Sequence, residues 1–175
     1  GPLLTRSGYG EQARFALRSL RSQPDLYDIF IQPLQWGKTS WIATFGEERA
    51  WIDETIEKTI AYIQQGGQFD ISLQVTIPNE WEKLAPMNVG YTAGIETNKV
   101  AAEWLIKANQ VVDNIIVVSD HSKYGFENTV WTGQDQNTQQ PAELKLNVPV
   151  TSVNYPVKTY TDLPELPITL DYDFN

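Results

Sequence analysis

Apolar positions along the chain fall into short blocks with two different spacings, and the blocks alternate. Ala13, Ala16, Leu17 and Leu20 recur at helical spacing and predict an amphipathic helix over 11–22, which Gln23-Pro24-Asp25 ends. Residues 26–34, rich in Ile, Phe and Tyr and closed by Pro33 and a Trp36-Gly37 turn, read as a strand. Ile52, Ile56, Ile60 and Ile63 form a stripe that predicts a helix over 47–65, stopped by Gly66-Gly67. Strands are expected over 70–77, 88–95 and 114–118, the first of them leading into a loop Pro78-Asn79-Glu80-Trp81. Val100, Trp104, Leu105 and Ala108 build the helix before the last of these strands, and residues 119–131 build the helix after it, with Ser119 as its cap. Beyond this the character changes. Residues 132–140 are polar and Gln-rich, and half of the ten prolines lie between Pro141 and Pro167. One more strand is expected over 148–157, and residues 158–175 read as an extended linker.

Strands alternating with helices predict an α/β, Rossmann-like three-layer domain over residues 1–157, with a mainly parallel sheet covered on both faces. The first helix has no full strand before it. Only residues 1–4 are available for one, so the first strand is largely missing, and the chain from Gly1 to Asp173-Phe174-Asn175 reads as a fragment. In open α/β sheets, ligands bind outside the carboxyl ends of the strands. Two loops lie there: Arg6-Ser7-Gly8-Tyr9-Gly10-Glu11 before the first helix, and Gly94-Ile95-Glu96-Thr97-Asn98 after the third strand.

Composition narrows the partners. A chain of 175 residues with 41% hydrophobic content is sufficient for one domain with its own core. Its formal charge of −9 is the wrong sign for a phosphate-backbone binder, so nucleic acid is not an expected partner. Without cysteine and with His121 as the single histidine, the usual ligands of a zinc or iron–sulfur site are missing, and no metal is expected. No stretch approaches the roughly 18 apolar residues of a membrane span, and no signal peptide opens the chain. A cytoplasmic location is expected.

Four stretches, in order, resemble a known family: Ser7-Gly8-Tyr9-Gly10-Glu11; Gly94-Ile95-Glu96-Thr97; Ile115-Ile116-Val117-Val118-Ser119 leading to His121-Ser122-Lys123; and Val153-Asn154-Tyr155-Pro156-Val157. Together they resemble the N-terminal half of a retaining glycosyltransferase of the GT-B fold, group 1, over nearly the whole chain. The resemblance implies two Rossmann-like domains facing across a cleft, with the acceptor held mainly by the N-terminal one. The C-terminal domain, absent from this sequence, would hold a nucleotide-diphosphate sugar, the co-substrate, and a pair of glutamates. No other cofactor is implied. The alternative is a non-catalytic α/β binding or interaction module.

Within that resemblance, Ser7, Gly8, Tyr9 and Gly10 are candidates to present backbone N–H groups and a helix N-terminus to the donor phosphate; a tight turn that lets helix and sheet pack is the plainer reading. Glu96 is the candidate catalytic carboxylate, against an ordinary carboxylate beside a helix start. Asn79, Glu80, Thr97, Ser119 and His121 are acceptor-contact candidates, each with a turn, a cap or a loop hydrogen bond as its rival reading. Ser122 and Lys123 either meet a charged ligand or begin the helix. Asp171-Tyr172-Asp173 matches a metal-binding D-x-D pattern but reads as linker. Trp36 and Trp41 are the stacking candidates among the tryptophans, whereas Trp51 and Trp104 sit in helical stripes and read as core.

Overall fold

The computed structural model describes residues 1–36, 45–134 and 140–157. Trp41, the D-x-D motif and the linker over 158–175 lie outside the described residues. Two helices come first, α1 (Gly8–Arg21) and α2 (Glu47–Gln64). Then follow β1 (Ile71–Val75), a single 3₁₀ turn (Pro78–Glu80), β2 (Met87–Tyr91), α3 (Ala102–Val111), β3 (Asn114–Val117) and α4 (Asp120–Asn128). A hairpin of β4 (Trp131–Gln134) and β5 (Pro141–Leu144) precedes β6 (Val150–Ser152).

Strands β1, β2, β3 and β6 lie side by side in that order, all parallel. Each step goes the same way, and right-handed crossovers stepping one way put their connections on one face. Trp81, Leu105, Ala108 and Phe126, from the first turn and from α3 and α4, accordingly pack on one side with Ile115, Val117 and Val150. The other side is covered by the two helices that precede the sheet: Ala13, Leu17 and Ile52 pack there with Val75, Tyr91 and Val118. The chain is thus a three-layer, Rossmann-like α/β fold.

The β1-to-β2 crossover has no α-helix. Its place is taken by Trp81, which is wholly buried and lies flat on Gly90, where an added Cβ would come within 2.5 Å of the indole. Asn88 and Gln74 secure the rest of this connection. The Asn88 side-chain oxygen accepts from the Leu84 and Ala85 amides at 2.9 and 3.0 Å, and Gln74 exchanges two bonds with the Glu82 backbone at 2.7 and 2.8 Å.

Several expected boundaries move. Residues 26–34 are not a strand of the sheet: Leu26 N closes a turn on Gln23 O, Ile31 N–H is taken by the Thr59 hydroxyl of α2 at 2.8 Å, and among the described residues the stretch 28–34 meets a partner backbone only at Gly1. The strand expected over 148–157 is present as β6 (Val150–Ser152), which forms the edge of the sheet beyond β3. Helix α1 begins at Gly8 rather than at residue 11, because the Ser7 hydroxyl accepts from Gly10 N at 3.0 Å and starts the helix earlier. Of the isoleucine stripe in α2, Ile52 is buried and Ile60 and Ile63 are about half exposed; Thr55 and Thr59 are the buried continuation. Strand β2 stops at Tyr91, since the amides of Ala93 and Ile95 go to the side chains of Tyr9 and Ser122 instead of to the neighbouring strand β1. Helix α4 stops at Asn128, where Thr129 turns its hydroxyl to Gly125 O and accepts from Val100 N, and the polar stretch that follows forms the antiparallel hairpin. Trp51 and Trp104 are half-buried, the first under the Arg21 guanidinium at 4.3 Å and the second stacked with Phe126.

Two measurements test this packing. Gly90→Ala forces a methyl into the Trp81 ring and should lower stability by about 1–3 kcal/mol in urea unfolding, as overpacking does. The second concerns the clasp between α1 and α2, where Arg18 donates to both carboxylate oxygens of Glu48 at 2.5 and 2.9 Å and holds that carboxyl below its usual range. A depressed carboxyl stabilises above its unfolded pKa and ceases to do so as pH falls through the folded value. Glu48→Gln should therefore cost about 0.5–1 kcal/mol at pH 7, the figure for a half-exposed pair, with the difference from the parent chain vanishing on acidification below the carboxylate range.

Candidate functional site

Each parallel strand hands the chain to a polar segment at its carboxyl end, and these segments lie along one edge of the sheet. After β1 comes Thr76, and the 3₁₀ turn brings Glu80 back onto it: Thr76 Oγ1 donates to Glu80 Oε2 at 2.5 Å. The same carboxylate oxygen accepts from the Trp36 indole N–H at 3.2 Å. Trp36 stands edge-on to Tyr9 with ring centres 5.1 Å apart. After β2 comes Thr92, whose hydroxyl pairs with the Tyr9 hydroxyl at 2.8 Å, while Ala93 N donates to that same phenol at 3.3 Å. Gln12 joins a third strand to the group, donating to Thr92 O at 3.0 Å and accepting from Tyr155, just past β6, at 2.9 Å. One relay therefore runs from Thr76 and Glu80 through Trp36, Tyr9, Thr92 and Gln12 to Tyr155.

Burial, and then the neighbouring Tyr9 phenol, raise the Tyr155 pKa; burial, and then Tyr155, raise that of Tyr91. Tyr155 and Tyr91 thus remain protonated at neutral pH, and Tyr155 acts as a hydrogen-bond donor to Gln12 rather than as a base.

Helix α1 starts at this edge because of its sequence. Thr5 Oγ1 meets Ser7 Oγ at 2.7 Å, and a Cβ on Gly10 would lie 2.3 Å from Thr5 O, so only glycine permits this close approach. Arg14, almost fully buried, donates to Leu3 O and Thr5 O at 2.6 and 3.0 Å and ties the turn to the helix. The cap satisfies Gly10 N, and Glu11 N bonds Ser7 O, while the Gly8 and Tyr9 amides meet no protein acceptor among the described residues. Ser7, Gly8, Tyr9 and Gly10 thus form a capped first helical turn, with two amides available to an anion.

The Glu96 loop is pinned on both sides by the start of α4. Ile95 N donates to Ser122 Oγ at 3.2 Å, and His121 Nε2 lies 3.2 Å from Thr97 O. A carbonyl only accepts, so Nε2 carries the proton in this bond. Ser119 Oγ accepts from Ser122 N at 3.1 Å and lies 3.0 Å from Ser122 Oγ, as a helix cap. Thr97 turns its hydroxyl to Lys99 O. Glu96 itself is exposed, with no hydrogen bond or ion pair among the described residues, and Asn79 is likewise exposed.

Two groups of the described sequence-derived candidates are brought together at the carboxyl edge, apart from the rest of the turn over residues 7–10 and the exposed Asn79. Tyr9 and Glu80 belong to the relay, Thr97, Ser119 and His121 to the anchor of the Glu96 loop. Gln12, Thr76, Thr92 and Tyr155 were not among the candidates. Thr76 and Thr92 carry a readable signal, each being the hydroxyl residue that directly follows an apolar strand. Gln12 has none, since its buried face is set by packing. A cleft of about 440 Å³ lies elsewhere, between the end of α1, residues 24–29 and α2. It is open and shallow, and its cations sit on aromatic rings: Arg21 on Trp51, with Lys58 on Phe30 and paired with Asp28. Among the described residues no three His, Asp or Glu side chains converge as a metal site, and no helix is long and apolar enough to cross a membrane.

Comparison with models of known protein families, with curated proteins and with solved structures finds no match.

The anchoring of the Glu96 loop gives a direct test. Ser122→Ala removes the acceptor of the Ile95 amide while leaving the Ser119 cap, so amide exchange at Ile95 should accelerate markedly and stability should fall by about 1–2 kcal/mol. Unchanged exchange at Ile95 would mean that the loop is held by something other than α4.

Proposed function

We propose that the chain is the acceptor-side domain of a retaining glycosyltransferase, which moves a sugar from a nucleotide-diphosphate donor to a hydroxyl acceptor. The observation that carries this reading is the relay at the carboxyl edge: a fixed carboxylate, a half-buried indole and several oriented hydroxyls converge there, and such a set matches a hydroxyl-rich ligand with alternating donors and acceptors. Glu80 and Trp36 would contact the acceptor, and the free Gly8 and Tyr9 amides would face a donor phosphate. Glu96 would act where positive charge develops on the transferred sugar; its loop is anchored, while its carboxylate is left unengaged for such a role. Donor binding and transfer would require a second Rossmann-like domain closing over this edge, and a cytoplasmic setting belongs to the same proposal.

A binding module without turnover is the second reading, and one observation favours it: Glu96 is exposed to water, where a carboxylate stabilises little.

The test has two arms. Titration of the 175-residue chain with UDP- and GDP-sugars and with a panel of oligosaccharides should shift the NMR signals of the Trp36 indole, Thr92 and Ile95, without any sugar transfer by the chain alone. Shifts confined to Arg21, Trp51 and Lys58, or none at millimolar ligand, would overturn the site. In a protein with the donor domain joined, Glu96→Gln should lower turnover roughly 10²–10⁴-fold with donor affinity little changed. Glu80→Gln should instead raise the acceptor KM about tenfold. Wild-type kinetics for both would leave the binding module as the surviving reading.

A further inference from the structure

The first residue makes the hydrogen bonds of a parallel ladder. Gly1 N donates to Gln32 O at 3.4 Å and Leu34 N donates to Gly1 O at 3.0 Å. A residue in a parallel pair bonds the residues on either side of its partner, so Gly1 stands in parallel register with Pro33. On its other side Gly1 packs on β1, where an added Cβ would lie 2.7 Å from the Val75 carbonyl oxygen. Among the described residues, Gly1 therefore lies between β1 and residues 29–34.

Both flanks are phased to continue that arrangement. Met87 N bonds Asp70 O and Thr76 N bonds Tyr91 O, which commits the even-numbered residues of β1 to β2. Ile71, Leu73 and Val75 consequently turn their N–H and C=O groups to the open edge, and they meet no backbone partner among the described residues. Across the gap, Ile31 N–H is occupied by Thr59 of α2, so the alternate residues Phe30 and Gln32 face β1. Ile29, Ile31, Leu73 and Val75 belong to one apolar cluster and give the gap an apolar floor. Burial also lowers the Gly1 amine to about 6, so the position favours an uncharged group over an ammonium.

We infer that the gap between β1 and residues 29–34 is a slot for one further strand, filled by an extended apolar segment continuous with Gly1 and parallel to both flanks. It would turn residues 29–34 into a sheet strand and give the order 29–34, inserted strand, β1, β2, β3, β6. Chain direction across the sheet would then reverse at the inserted strand. Such a reversal opens a crevice at the carboxyl edge, beside Ser7 and Thr76.

The test extends the chain ahead of Gly1 by seven residues in which Val and Thr alternate, and compares it with an extension of equal length carrying Pro at every second position. The first should slow amide exchange at Gln32, Leu73 and Val75 by about tenfold or more and raise Tm, while the second should do neither, because proline cannot donate to a ladder. If the extended chain fails to fold, the same heptapeptide, capped at both ends, is added to the 175-residue chain and exchange is read at the same amides. Unchanged exchange in the alternating extension, or with the peptide when that arm is needed, overturns the inference. Protection already present in the 175-residue chain, and growing with concentration as it sediments as a dimer, overturns it as well, because a second copy would then be covering the edge.

Discussion

The contact between Trp81 and Gly90 governs the geometry of the sheet's first crossover. Parallel strands need a connection that returns over one face, and an α-helix normally supplies both the length and the apolar cover. Here about ten residues do it, and a single indole provides the cover in place of a helical face. That works only if the strand beneath has no side chain at the point of contact, which is the role of Gly90. Asn88 and Gln74, buried polar residues on β2 and β1, then supply the hydrogen bonds that a helix would have made for itself.

The same constraint positions the site. Glu80 directly precedes Trp81, so with the indole fixed against the sheet the carboxylate has only a short reach, and Thr76 and Trp36 lie within it. A longer, helical crossover would have carried residue 80 away from the edge. Rigidity here comes from an apolar anchor next to a polar group, which lets the carboxylate stay solvent-accessible without being free to wander.

Much of the architecture was legible from periodicity, and the departures share one cause. The strands at β1, β2 and β3, the helix at 47–64 and the Ser119 cap were readable because each follows from local spacing and local hydrogen bonds. Residues 26–34 have strand composition, but among the described residues the stretch 28–34 has no backbone partner beyond Gly1, and composition does not report the partner. The hairpin of β4 and β5 went unread for the opposite reason: its residues are exposed on nearly every position, so no apolar alternation marks it. At the site, the locations of Ser7, Tyr9, Glu80, Glu96, Thr97, Ser119 and His121 at strand ends were readable, because helices and strands fix where their ends fall. Which of them touch was not, since Tyr9 meets Thr92 and Gln12 meets Tyr155 across 83 and 143 residues of chain.

The Gln12 amide has a consequence for the kind of atom that fits against this edge. Its nitrogen must face the Thr92 carbonyl, because its oxygen would be repelled there, so its oxygen faces Tyr155. Tyr155 must then spend its only proton on Gln12, and what it offers outward is lone pairs. The backbone at Thr92 thereby sets the polarity of a phenol on another strand: a ligand atom seated against Tyr155 has to bring a hydrogen of its own, and a bare ether or carbonyl oxygen is turned away.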